Sequence, residues 1–338
     1  GLAWGLQLAA LKAQREENPE KWNEIRECLD TQNFLKEGPS ILEKYDPEGM
    51  AFKWLTESNK ESPKWKVHKV PSSWLKTPML LIGGWWDPHL TGILDIYKKS
   101  ILAGGNPELH IGPATHLQWW EGVQELHLKF FNHHLKICGS NTSIKSKSFL
   151  WNITKKKWTS TKKLNKTNQS WRLQSTGKAC LDLEDGSLTS NKRGSGFLTL
   201  VHDPWRPVPA IGGHLSPNPG IADRLSIDMR PDVATFTSPP LKKATQLAGV
   251  PQLKLKAQAD QKGFDICVAL SIIEKNQSSS KQISTGILRV IGDQATKPYV
   301  RKIYLQPILV DLKEGSRLRI SIAGAAWPAF GINPGNTK

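Results

Sequence analysis

The hydrophobic pattern of this chain changes period once, near residue 139, and that change restricts it to a mixed architecture. Before it, apolar residues recur at helical spacing or gather in short continuous runs. After it, they alternate within short segments separated by Gly, Pro, Asn and Ser clusters. The first pattern belongs to helices and a buried parallel sheet, the second to an all-β layer structure.

Residues 1–60 are helical in pattern. LAWGLQLAALKAQREE is a helix former throughout, and Asn18-Pro19 supplies an N-cap and a first-turn proline for KWNEIRECL. A turn at Gly38-Pro39-Ser40 leads to ILEKY, and Asp46-Pro47-Glu48 is expected to cap a helix through AFKWL. Such a block alone is expected to leave its apolar faces uncovered, so 1–75 is read as a cap region or helix layer of a larger domain.

Residues 76–138 carry the most informative order. Thr77-Pro78 introduces MLLIGG, a run suited to a strand buried on both faces. LTGILDIYKKSILAGG follows at helical spacing, then the apolar run ELHIG, then a further helix over about 122–136. Strand, helix, strand, helix is the order of a doubly wound α/β sheet. Beyond it, SFLWNI, SWRLQS, GFLTLV, ATFTSP, PQLKLKAQA, DICVALSII, STGILRVI, RKIYLQPIL and SRLRISIAG make nine candidate strands. The fold class expected is therefore α/β plus all-β, with a β-sandwich of jelly-roll type over 139–338.

Composition excludes several classes. No apolar run approaches the roughly 18 residues of a membrane helix, so no membrane partner is expected. The four cysteines, Cys28, Cys138, Cys180 and Cys267, stand far apart with no histidines at zinc spacing, and are read as reduced packing residues. The formal charge of +16 is concentrated: from Leu126 to Leu181 there are twelve Lys or Arg and no Asp or Glu. Nucleic-acid binding would set that charge among stacking aromatics or in a known motif. Trp151, Trp158 and Trp171 fall instead in short strands and turns, so the segment is read as a solvated basic face and no nucleic-acid partner is expected. The sequons at Asn141, Asn152, Asn165, Asn168 and Asn276 are what an Asn/Ser/Thr-rich sequence gives by chance. A cytoplasmic location is the expectation, any targeting signal lying outside these residues.

In open α/β sheets, ligands bind beyond the carboxyl ends of the strands. The first run ends in GGWWDPH, placing Asp87 at its tip, and the second in GPATH, placing His116 in the next loop. An acid and then a histidine at successive strand tips is the order in which α/β hydrolases present the last two members of a Ser-His-Asp triad. A neutral imidazole takes the proton of the serine hydroxyl, and the acid fixes its tautomer and stabilises its charge. The spacing alone also suits a blander reading. Asp87-Pro88 would serve as a helix N-cap, and a lone loop histidine is usually a surface residue.

The surrounding residues favour the first reading. TPMLLIGGWWDPHLTGILDIYKK resembles the "PvLlvGGWyDpf..Gtldly" segment of the acyl esterase superfamily that includes cocaine esterase, α-amino-acid ester hydrolases, glutaryl cephalosporanic acid acylases and X-Pro dipeptidyl-peptidases. NPELHIGPATH is similar to that family's strand ending in IGPWTH, and LKFFNHHLKICG to its "FFDhhLkG" helix. VHDPWRPVPAIGGHL, IDMRPDVATFTSPPL and AAWPAFGINPGNTK are similar to successive landmarks of its C-terminal jelly-roll domain. The resemblance implies that Asp87 and His116 are the triad acid and base, that no metal or organic cofactor is needed, and that the substrate is a small ester, amide or short peptide.

Asn132 stands where the family usually has Asp, and Ala114 where it often has Trp. No G-x-S-x-G elbow occurs; Arg193-Gly194-Ser195-Gly196 has the wrong spacing and lies in the all-β part. The nucleophile and oxyanion hole are therefore expected upstream of residue 1, and these 338 residues alone are expected to be inactive. Trp85, Trp86, His89, Trp119 and Trp120 flank the two loops, and Trp86 and Trp119 are assigned to an apolar substrate pocket. Two alternatives come from other classes: a non-catalytic β-sandwich module binding glycans or polyanions, and a degenerate hydrolase retained for its fold.

Overall fold

The computed structural model describes residues 2–57, 62–63, 65–66, 68–135, 147–160, 169–190 and 196–336. It divides into two compact units, one ending at Lys69 and the other beginning at Val70. Among the described residues no helix is long and apolar enough to cross a membrane.

The first unit holds α1 (Leu2–Arg15), α2 (Pro19–Asp30), α3 (Gly38–Tyr45) and α4 (Met50–Thr56). Asn18 caps α2 as its sequence position predicts: its side-chain oxygen accepts the Lys21 N–H at 3.0 Å, with Pro19 in the first turn. Two boundaries differ from expectation. Gly38-Pro39-Ser40 is the first turn of α3, since proline tolerates that position. Asp46 does not cap α4, whose N-cap is Gly49; its carboxylate instead binds Lys12 of α1 at 2.7 Å. The unit also encloses an apolar core of its own, built on Leu6, Ala9, Ile25, Cys28, Ile41 and Leu42. The expectation of uncovered faces holds in part: α1 packs against the other three helices and buries its Leu6–Ala9–Ala13 stripe among them, while Trp4, Leu11, Trp54 and Leu55 remain exposed.

The second unit begins with β1 (Leu80–Trp86), α5 (Leu90–Leu102), β2 (Glu108–Thr115) and α6 (Val123–Leu135). β1 and β2 run parallel, with Leu80 opposite Glu108 and Gly84 opposite Gly112. Next come β3 (Ser148–Asn152) and β4 (Lys157–Ser160). β3 pairs parallel to β2 and β4 antiparallel to β3, so SFLWNI extends the α/β sheet instead of opening the sandwich. Its alternation looks like a sandwich strand because β4 makes the far side of the sheet antiparallel, and the two faces no longer need to be equally apolar.

The remaining elements are β5 (Arg172–Gln174), β6 (Ser187–Thr189), β7 (Ala222–Asp223), the short helix α7 (Leu225–Asp228), β8 (Val233–Thr237), β9 (Thr245–Gly249), β10 (Gln252–Ala257), β11 (Gly263–Ile273), β12 (Ser280–Ile291), β13 (Tyr299–Tyr304), β14 (Ile308–Leu312) and β15 (Arg317–Ala323). Seven form one sheet in the order β5-β6-β8-β15-β11-β12-β7, while β10 pairs with β13 and β9 with β14. GFLTLV forms no strand: Phe197 and Val201 lie in solvent, and only Leu198 and Leu200 touch the core. RKIYLQPIL is two strands, broken at Gln306-Pro307.

One core joins the α/β sheet to the all-β region. Leu109, Ile111, Leu150 and Ile153 share a cluster with Leu309, Val310, Ile283 and Leu270. Backbone hydrogen bonding crosses the same boundary, from the Ile153 N–H to the Leu309 carbonyl at 2.9 Å.

Candidate active site

Where β1 and β2 end, glycine lets the two strands close up. A Cβ on Gly84 would lie 2.3 Å from the Ala114 carbonyl oxygen, and one on Gly112 would lie 2.2 Å from the Trp120 ring. With those clashes removed, the register shifts after Gly84 and Trp86 comes opposite Thr115. The residues that follow, Asp87 and His116, emerge side by side.

Asp87 is only 3% exposed. Its Oδ1 accepts the backbone N–H of His89 at 2.7 Å, and its carbonyl accepts the Leu90 N–H and the Gln306 side-chain amide, each at 3.2 Å. Asp87 is therefore not the N-cap of α5, which is His89 with no side-chain cap; its Oδ1 closes the turn just before the helix instead. Oδ2 faces Nδ1 of His116 at 3.4 Å. His116 is exposed, and the turn after it is fixed by Thr115, whose Oγ1 accepts the Gln118 N–H at 3.1 Å and whose own N–H donates to the Gln118 carbonyl at 3.0 Å. The contact is long for a hydrogen bond, and it turns Nδ1 toward the acid and Nε2 away from it.

Trp86 closes β1, half-buried against the core, and its indole N–H is buried without an acceptor among the described residues. Trp119 is 45% exposed and leans on Trp120 at 5.9 Å between ring centroids. Trp85 is core: it is 4% exposed and donates its indole N–H to the Trp151 carbonyl at 2.7 Å. His89 is exposed and its ring lies 5.0 Å from that of His116. Sequence reasoning missed Gln306, which buttresses the Asp87 backbone from 219 residues away. The signal available was the Gln306-Pro307 break inside an apparently continuous strand.

Other titratable groups serve packing. His110 is buried mid-β2, bonded to Glu108 at 2.7 Å and stacked on Phe149. Burial pushes the His214 imidazole down to about 4, and it faces the Thr285 hydroxyl at 3.2 Å. Burial, with Asp265 nearby, pushes the Cys267 thiol up to about 12. Cys28, Cys180 and Cys267 are free thiols, as expected, and Cys138 lies outside the described residues. Within the basic segment, Lys155 pairs with Asp311, while Lys162 and Lys163 lie outside the described residues. Asn152 is no glycan acceptor surface: it is 1% exposed, and its side-chain oxygen accepts the Lys155 N–H at 3.0 Å.

A mixed sheet whose neighbouring parallel strands bear an acid and a histidine at their tips, fused through its core to a β-rich region, defines a mixed α/β protein with the fold of the CocE/NonD hydrolases. The chain belongs to the X-Pro dipeptidyl-peptidase family: residues 139–338 match the profile of the X-Pro dipeptidyl-peptidase C-terminal non-catalytic domain, and residues 1–118 that of the X-Pro dipeptidyl-peptidase S15 family.

Solved structures of similar fold include three of different description. A selenomethionine-labelled α-amino acid ester hydrolase is 20% identical at a TM-score of 0.60, over 78% of this chain and 50% of that one. An aminopeptidase from a marine sediment archaeon, Thaumarchaeota archaeon, is 18% identical at 0.62, over 77% and 49%. A CocE/NonD family hydrolase from Staphylococcus aureus is 15% identical at 0.53, over 90% and 57%. At these identities the likeness is one of fold. The chain spans about half the length of the structures it matches. No curated protein sequence matches it.

Proposed function

We propose that this chain supplies the acid and the base of a serine hydrolase that works through an acyl-enzyme on esters, amides or short X-Pro peptides. The observation that carries the reading is the placement of Asp87 Oδ2 3.4 Å from His116 Nδ1 at adjacent parallel strand tips. Family membership supports the class of reaction.

His116 Nε2 takes the proton of a serine hydroxyl as the oxygen attacks the acyl carbon. It then gives that proton to the departing alcohol or amine as the tetrahedral adduct collapses. Water repeats the sequence on the acyl-enzyme, with the same nitrogen acting first as base and then as acid. Asp87 holds the imidazole by Nδ1 and offsets its transient positive charge. The buried carboxylate suits this role, because low local dielectric strengthens its pull on an imidazolium.

The nucleophile is a serine outside these 338 residues, which contain no G-x-S-x-G elbow. Trp86 and Trp119 line the substrate pocket. On this reading the helical unit ending at Lys69 is the cap region, the hydrolase sheet that bears Asp87 and His116 runs on through β3 and β4, and the β-rich remainder is a jelly-roll-type sandwich that takes no part in the chemistry. No metal or organic cofactor takes part in turnover.

The test is turnover of a p-nitrophenyl ester by the full natural polypeptide. His116→Ala is expected to lower it by about three to four orders of magnitude. Wild-type turnover in a folded His116→Ala protein would remove the reading.

A further inference from the structure

We infer that Asp87, His89 and His116 form a binding site for a divalent transition-metal ion of the zinc class, and that the bound ion disables the base. The inhibitory consequence rests on the function proposed above; the metal site itself does not.

One ligand atom from each residue lies within 4.8 Å of the other two, and among the described residues this is the only group of three or more such side chains. Tetrahedral zinc with bonds of about 2.0–2.1 Å holds its ligand atoms about 3.4 Å apart. Asp87 Oδ2 and His116 Nδ1 already stand at 3.4 Å. The His89 ring must close in by about an ångström, and both histidines are exposed, so rotation about their side-chain bonds meets little resistance.

The donor set fits a borderline metal: two imidazoles and one carboxylate, with a fourth position open to water. The carboxylate is preorganised, since its other oxygen is fixed by the His89 N–H and its backbone by Gln306. Spacing alone hid the group, because it joins two residues of one loop to a third from the next strand.

The ion would sit between Oδ2 and Nδ1, where the orienting contact now lies. It displaces the Nδ1 proton, cuts the imidazole off from its acid, and lowers the basicity of Nε2. Metal binding and proton transfer by His116 therefore exclude each other.

The test uses the full polypeptide stripped with a chelator. Calorimetric titration with Zn²⁺ is expected to give one ion per chain, with affinity falling at least about tenfold in His89→Phe and again in His116→Ala, as loss of one of three ligands requires. Co²⁺ in place of Zn²⁺ should give the intense visible bands of four-coordinate cobalt in wild type and not in His89→Phe. Ester turnover should be blocked by Zn²⁺ in wild type at concentrations that leave His89→Phe active. Equal Zn²⁺ affinity in wild type and His89→Phe would overturn the site. Binding that needs His89 in a protein without any esterase activity would keep the metal site and remove the hydrolase reading. Turnover indifferent to Zn²⁺ at saturating occupancy would overturn the claim that the bound ion disables the base.

Discussion

Two buried aspartates in this chain have opposite lives. Asp228, in the all-β region, is 2% exposed and saturated. Arg224 Nε and the Ser321 hydroxyl donate to its Oδ1 at 3.1 and 2.7 Å, and the Ser280 hydroxyl to its Oδ2 at 3.0 Å, with Arg319 at 3.5 Å. Asp87, at the tip of β1, is 3% exposed, yet Oδ2 faces a single exposed imidazole. Burial is the same in both, but only Asp228 has its acceptor capacity filled by fixed groups. A buried charge fully paired by buried donors fixes a fold, whereas one left with an exposed, titratable partner is placed to act on something that arrives.

Exchanging the two roles by mutation sharpens this contrast. The largest effect expected is on catalysis: Asp87→Asn should lower ester turnover by the full polypeptide about four orders of magnitude, because it favours the wrong imidazole tautomer. Its stability to urea should change by about 1 kcal/mol or less, since the amide oxygen can still accept the His89 N–H. Asp228→Ala should reverse the pattern. Urea denaturation is expected to register a loss of about 3–5 kcal/mol, because Arg224 and Arg319 are left buried without their counter-charge. Turnover per folded molecule should be kept, and a loss of turnover matching that of Asp87→Asn would erase the distinction.

A smaller effect separates the regions by pH. His214 is held neutral by burial, at about 4 against an ordinary 6.5. Between those values the unfolded chain binds more protons than the folded one. Its contribution is therefore complete above pH 6.5 and is lost as pH falls toward 4, by at most about 3 kcal/mol. Denaturation at pH 7 and pH 4.5 should show a shallower loss in His214→Gln than in wild type. The smallest effect belongs to the surface: Lys155→Ala removes the partner of Asp311 and is expected to cost under about 1 kcal/mol, shrinking further in high salt.

The same contrast explains what the sequence let one read. The order MLLIGG, helix, ELHIG predicts the parallel strand tips at which Asp87 and His116 are found, because such tips are a local consequence of short apolar runs and helical spacing. Asn18-Pro19 fixed the start of α2 for the same local reason. What stayed hidden is non-local. SFLWNI was assigned to the wrong sheet because strand pairing depends on partners far along the chain. GFLTLV has strand composition but no neighbour to pair with among the described residues. Gln306 and His89 acquire their meaning only when the chain brings them to Asp87 and His116.

The most direct test of the central claim is labelling of the full polypeptide by a fluorophosphonate probe, which reports whether a serine is activated without needing the right substrate. Wild type is expected to label, and Asp87→Asn and His116→Ala to label at background rates while remaining folded. Labelling at the wild-type rate in both variants would contradict the assignment of Asp87 and His116 as acid and base.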